Sequence, residues 1–126
     1  MKALNIIETA YRGTLEEQDD TIVWLTHALK GAGAELDVLL RANAVNYAVK
    51  AQKVAPLSFG DRQQKHGPDI AGDVAGLIAK GVNVYIVKDD LAERGISDDE
   101  LIDGLSPVSR DGLAKLLDGY DHVWHW

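Results

Sequence analysis

The sequence predicts an α/β fold, a three-layer α/β/α sandwich around a mostly parallel sheet of about five strands. Two observations carry the prediction. Apolar runs of strand length alternate along the chain with stretches of helical spacing. The runs themselves, above all "VNVYIV", are apolar almost throughout, as strands covered on both faces are. With 126 residues, the expectation is a single domain spanning 1–126.

In chain order, "KALNIIET" reads as the first strand and "AYRG" as the loop that leaves it. Thr14 and Glu17 fit a capping box, in which the hydroxyl accepts from a free amide and the carboxylate reaches back. The helix they would start carries Leu15, Ile22, Leu25, Thr26 and Leu29 and stops at "KGAG". "ELDVLL" is a second strand, and "ANAVNYAVKAQ" resumes helical spacing. "PLSFGDRQQKHGPD" is irregular, punctuated by Pro56, Gly60, Gly67 and Pro68. "IAGDVAGLIAKG" returns to helix and ends at Gly81 before "VNVYIV", the third strand. "DDLAERG" and "DDELIDG" read as short acidic helices. "LSPVS" is a short fourth strand that Pro107 confines to a sheet edge or bulge. Ser109 can cap "RDGLAKLLDG", and "DHVWHW" forms the fifth strand.

Composition narrows the functions. The chain is 46% hydrophobic and 26% charged, with a formal net charge of −7. That balance fits a soluble domain and disfavours a broad nucleic-acid or membrane surface, because phosphate backbones and anionic lipid would be repelled. No apolar run approaches the roughly 20 residues of a membrane span. No signal peptide is read in "MKALNIIETAYR", so the cytoplasm is expected. There is no cysteine, which removes disulfides, thiolate nucleophiles and persulfide carriage from this chain's own chemistry.

In a parallel sheet, ligands gather beyond the carboxyl ends of the strands. Thr9, Tyr11 and Arg12 follow the first strand, Arg41 and Asn43 the second, and Lys88, Asp89 and Asp90 the third. Tyr11, Arg41, Asn43 and Lys88 are the candidate ligand-binding residues, suited to a small anion or a nucleotide-like molecule. Asp89 and Asp90 would cap the following helix. Loop polarity alone accounts for the same residues. No metal and no cofactor are expected, since His122 and His125 point to opposite faces of the last strand. Trp124 and Trp126 share a face with His122 and form an aromatic stripe, packed on the domain or against another subunit.

Several segments together resemble the DsrE/DsrF-like family. They are "AGDVAGLIAKGVNVYIV", "DDLAERGISDDELIDGL" and "SPVSRDGLAKLLDGYDHVWHW", with "KALNIIET" and "ELDVLLRANAVNYAV" fitting the same plan. The resemblance implies the α/β/α fold and an oligomer, a trimer or hexamer. It also implies, in the sulfur-relay members, a persulfide-carrying cysteine at the end of the third strand. By spacing back from Leu91 that position is Val87 here. A valine has no lone pair with which to hold sulfur, so the carrier role does not transfer. The function expected is that of a non-catalytic oligomeric binding or assembly subunit, linked to sulfur metabolism through a cysteine-bearing partner. The alternative is a small-anion or nucleotide-like ligand site at the strand ends. An enzyme using His125 or Asp89 for acid/base chemistry lacks a second group to pair with.

Overall fold

The protein is described by a computed structural model over residues 1–11 and 18–126. Five strands, β1 (Lys2–Ile7), β2 (Glu35–Leu40), β5 (Val84–Val87), β6 (Ser106–Val108) and β7 (His122–His125), make one sheet in the order β6-β5-β2-β1-β7. Every pair in it is parallel. The chain steps from β1 to β2, β5 and β6 in one direction and then returns to the far side of β1. Right-handed crossovers therefore lay the first helices on one face and the last on the other.

The first face is packed by α1 (Thr21–Gly31) and α2 (Ile70–Ala79), whose Ile22, Val23, Val74 and Leu77 meet Ile7, Val38, Leu40, Val84 and Ile86. The second face is smaller. Leu4, Ile6, Leu39 and Val87 are covered there by Leu113, Leu116 and Leu117 of α4 (Leu113–Leu117) and by Tyr85, Val108 and Tyr120. The three expected layers are present, with one of them only a short helix wide.

Local chemistry explains most boundaries. Asp20 caps α1, its carboxylate accepting from the Ile22 and Val23 amides at 2.9 and 3.0 Å. The expected capping box of Thr14 and Glu17, with Leu15, lies outside the described residues. Asp69 caps α2 by accepting from the Gly72 amide at 3.0 Å. Ser109 accepts from the Gly112 amide at 3.2 Å, opening the turn that leads into α4. Pro107 sits in β6 at the sheet edge, where its missing N–H breaks no central ladder.

Three expectations change. "ANAVNYAVKAQ" is a 3₁₀ helix over Ala42–Ala48. It begins at a left-handed Ala42 and ends where Val49 bridges to Leu101, so both ends are fixed by neighbouring segments. "DDELIDG" shortens to one 3₁₀ turn, Asp98–Glu100, closed by a box of Ser97 and Glu100. The irregular segment holds a small hairpin, β3 (Ser58–Phe59) and β4 (Arg62–Gln63), turning at Gly60 with φ 57°.

At the amino end of the sheet, Asp37 of β2 is buried on the second face and fully engaged. Its carboxylate accepts from the Tyr120 hydroxyl (2.6 Å), the Asn83 amide (2.9 Å) and the Asn83 side chain (3.1 Å), and pairs with Lys2 Nζ (3.0 Å). These contacts tie β1, β2, the start of β5 and the turn before β7. Burial alone would push the carboxyl up. The hydrogen bonds from Tyr120, Asn83 and Lys2 outweigh it and hold the carboxyl below its ordinary range. Burial and the Asp37 charge together push the Tyr120 phenol up.

Because the folded carboxyl titrates lower than the unfolded one, Asp37 stabilises the fold above the unfolded value and loses that effect as pH falls through the folded one. Asp37→Ala is expected to cost about 3 kcal/mol in urea unfolding at neutral pH. The difference between variant and parent is expected to shrink below about pH 4. A difference unchanged down to about pH 2 would contradict this account.

Candidate functional site

Beyond the carboxyl ends of the strands, two loops, one after β2 and one after β6, are held by the first turn of α3 (Lys88–Glu93). Val87 is its N-cap residue and supplies no side-chain cap. Asp89 and Asp90, expected to cap this helix, bind neighbouring segments instead. Asp89 accepts from the Arg110 amide at 2.6 Å. Asp90 accepts from the Ala42 amide through one oxygen and from the Arg110 guanidinium through the other, both at 2.6 Å. Arg110 also reaches Glu93 at 2.8 Å. Burial pushes the Asp90 carboxyl up, but the Ala42 amide and Arg110 bring it below its ordinary range. Glu93 and Asp90 together push the Arg110 guanidinium up.

Ala42 has φ 48°, a conformation costing an alanine about 1 kcal/mol. The Asp90 oxygen on its N–H is what holds it there. Tyr11 is also left-handed, at φ 59°. Its amide donates to the Tyr47 hydroxyl at 2.5 Å, and that hydroxyl donates to Asp20 at 2.6 Å. The Tyr11 ring meets Tyr47 edge-on at 5.3 Å, and its own hydroxyl donates to Gln52 at 2.7 Å.

The four candidate binding residues are therefore not one cluster. Tyr11 is committed to Tyr47 and Gln52 on the first face. Asn43 accepts from Arg94 through its side-chain oxygen at 2.9 and 3.3 Å. Arg41 has a loose contact with Glu8 at 3.9 Å. Lys88 is exposed and makes no hydrogen bond or ion pair among the described residues. Arg41 and Lys88 follow adjacent strands, so these two basic groups share a stretch of the edge.

The register also places a row of residues on the second face. Ile7 pairs with Leu40, and Leu40 with Ile86, all on the first face. The next residues, Glu8, Arg41 and Val87, fall on the second. His125, level with Ile6, joins them from β7 and places Nε2 at 2.5 Å from a Glu8 oxygen. His125, considered above as an acid/base group without a partner, finds one in Glu8, and that pairing is not visible in the sequence because nothing there says that the last strand lies beside the first.

Val87 itself is 1% exposed and packs within the second-face cluster. Its neighbours fill the space around it, so the strand end offers no open socket there. Beside it, Glu8 and Arg41 remain part-exposed.

A family model described as the DsrE/DsrF-like family matches residues 2–125. The chain belongs to the DsrE/DsrF-like family. Solved structures share the architecture. The ychN protein of E. coli is 23% identical with a TM-score of 0.71, over 99% of this chain and 97% of that one. MTH1491 of Methanobacterium thermoautotrophicum, a protein of unknown function, is 17% identical with a TM-score of 0.63, over 98% and 97%. BT1422 of Bacteroides thetaiotaomicron, also of unknown function, is 10% identical with a TM-score of 0.66, over 99% and 94%. No curated protein matches this DsrE-like chain.

Two outcomes follow from this edge. A cysteine placed by Val87→Cys is expected to resist a thiol reagent in the native protein and to react once the protein is unfolded; fast native labelling would show an open socket. Asp90→Ala is expected to cost about 3 kcal/mol, and adding Ala42→Gly to recover about 1 kcal/mol of it. Urea unfolding of the single and double variants measures both. No recovery would mean that the left-handed Ala42 does not depend on Asp90.

Proposed function

We propose that this DsrE-like chain is a non-catalytic binding or assembly subunit that works as a homo-oligomer. A link to sulfur relay would run through a partner supplying the thiol that this sequence lacks. The observation that carries the reading is Val87, a packed hydrocarbon at the position the family resemblance gives to the sulfur-carrying cysteine. Sulfane transfer needs a thiolate that is exposed as well as present. This junction offers a sealed methyl surface.

The contact surface we assign to the oligomer is the aromatic stripe. Trp124 and Trp126 line a groove of about 320 Å³ with Leu25 and Leu29 of α1, and almost all of its wall is apolar. Trp126 is 39% exposed although its indole N–H reaches Asn5 Oδ1 at 3.4 Å. The stripe thus packs on the domain on one side and leaves apolar surface on the other. Its strand, β7, is a sheet edge. Tryptophan in a half-covered groove is the residue type that anchors subunit contacts.

Size-exclusion chromatography with light scattering tests the reading. A trimer or hexamer is expected at about micromolar concentration, with Trp124→Ala and Trp126→Ala together weakening assembly by about 2 kcal/mol or more per contact. A strict monomer would sink the proposal.

A further inference from the structure

The open part of the second face carries a cluster that the assembly reading does not use. His125 comes from β7, Glu8 follows β1 and Arg41 follows β2, so three adjacent strands deliver three ionisable groups to one shelf. Their side chains are 50%, 38% and 36% exposed. Helix α4 covers Val87 and Leu39 on this face, and the shelf lies beside that cover.

The hydrogen bonding gives each group a distinct state. A carboxylate at Glu8 accepts, so His125 Nε2 carries a proton and donates it along the 2.5 Å contact. Among the described residues His125 Nδ1 has no hydrogen-bond partner. Arg41 faces Glu8 only through Nε, at 3.9 Å, and its terminal nitrogens make no hydrogen bond among the described residues. The shelf thus presents an oriented imidazole and an uncommitted guanidinium fork on either side of one carboxylate. His122, on the opposite face of β7, takes no part.

We propose that Glu8, Arg41 and His125 form a proton-linked binding site for a small oxyanion. Arg41 supplies the fork that matches paired oxygens. His125 donates from Nδ1 when it is protonated, while Glu8 holds the ring in place through Nε2. Charge sets the linkage. With a neutral imidazole, Glu8 and Arg41 cancel and the trio is neutral. With an imidazolium, it carries one net positive charge, and an anion is drawn in. Binding of the anion and uptake of a proton therefore favour each other. This site keeps only Arg41 from the four residues first considered and is independent of the oligomer contact, since Trp124 and Trp126 face the other way.

Sulfate is the probe, because its own charge does not change across the relevant pH range. Titrations at constant ionic strength, followed by the imidazole NMR signals, are run at about pH 5.5 and about pH 8. The expected result is binding about tenfold tighter at the lower pH, with shifts at His125 and none at His122. Arg41→Gln is expected to abolish the shifts. His125→Gln, which keeps a donor to Glu8 but cannot titrate, is expected to bind with no pH dependence. Sulfate affinity equal at both pH values in the parent protein, equal shifts at His122 and His125, or undiminished binding by Arg41→Gln would each overturn the proposal. Light scattering on the same samples reports the oligomer separately, so failure of this site leaves the assembly reading standing and the reverse.

Discussion

The carboxyl edge of the sheet depends on a single side chain. Asp90 sits at the start of α3, largely buried, and each of its two oxygens accepts from a different loop. One oxygen fixes the turn after β2, including its left-handed Ala42. The other fixes the loop after β6 through Arg110. Charge-assisted hydrogen bonds of this kind contribute about 2 kcal/mol each, more than the roughly 1 kcal/mol of backbone strain they oppose. Asp89 and Glu93 hold Arg110 from either side. An acidic helix start with no capping side chain is thereby made into a clasp. Everything placed at this edge, Arg41 included, inherits its position from it.

The second constraint is the direction in which the chain builds the sheet. Three successive steps in one direction put α1, the 3₁₀ segment, α2 and α3 on one face. Only the reversal before β7 places a helix on the other, and that helix spans Leu113–Leu117. Its apolar residues seal Val87, Leu39 and Leu4, and Asp37 with Tyr120 closes the opposite end. What the short helix leaves uncovered is the shelf of Glu8, Arg41 and His125. The same reversal produces both the sealed position and the open one.

The strands were legible because each is a short apolar run between punctuating residues, and Pro107 correctly marked an edge. The caps at Ser109 and at the end of "KGAG" were legible for the same reason, since Gly33 takes φ 89°. The role of Asp37 within "ELDVLL" was not legible, since its partners come from residues 2, 83 and 120, which no local pattern connects. Val45, Ala48 and Val49 carry helical spacing, but the strained entry at Ala42 tightened the segment into a 3₁₀ turn. Asp89 and Asp90 have the composition of caps, and only the proximity of Arg110 redirected them. The pairing of Glu8 with His125 joins residues far apart in sequence through strand order, which depends on the whole sheet.

That strand order also has a kinetic side. β1 is the first strand of the chain and a central one in the sheet, with one flank given to β2 and the other to β7. The bonds on the second flank, such as Asp121 N–H to Lys2 O at 2.9 Å, join segments from opposite ends of the sequence. Closing so long a loop costs entropy before the pairing returns anything. Docking of the tryptophan-bearing strand therefore carries the largest loop-closure cost in the sheet, and it is what covers a flank of β1 that would otherwise be a bare hydrogen-bonding edge.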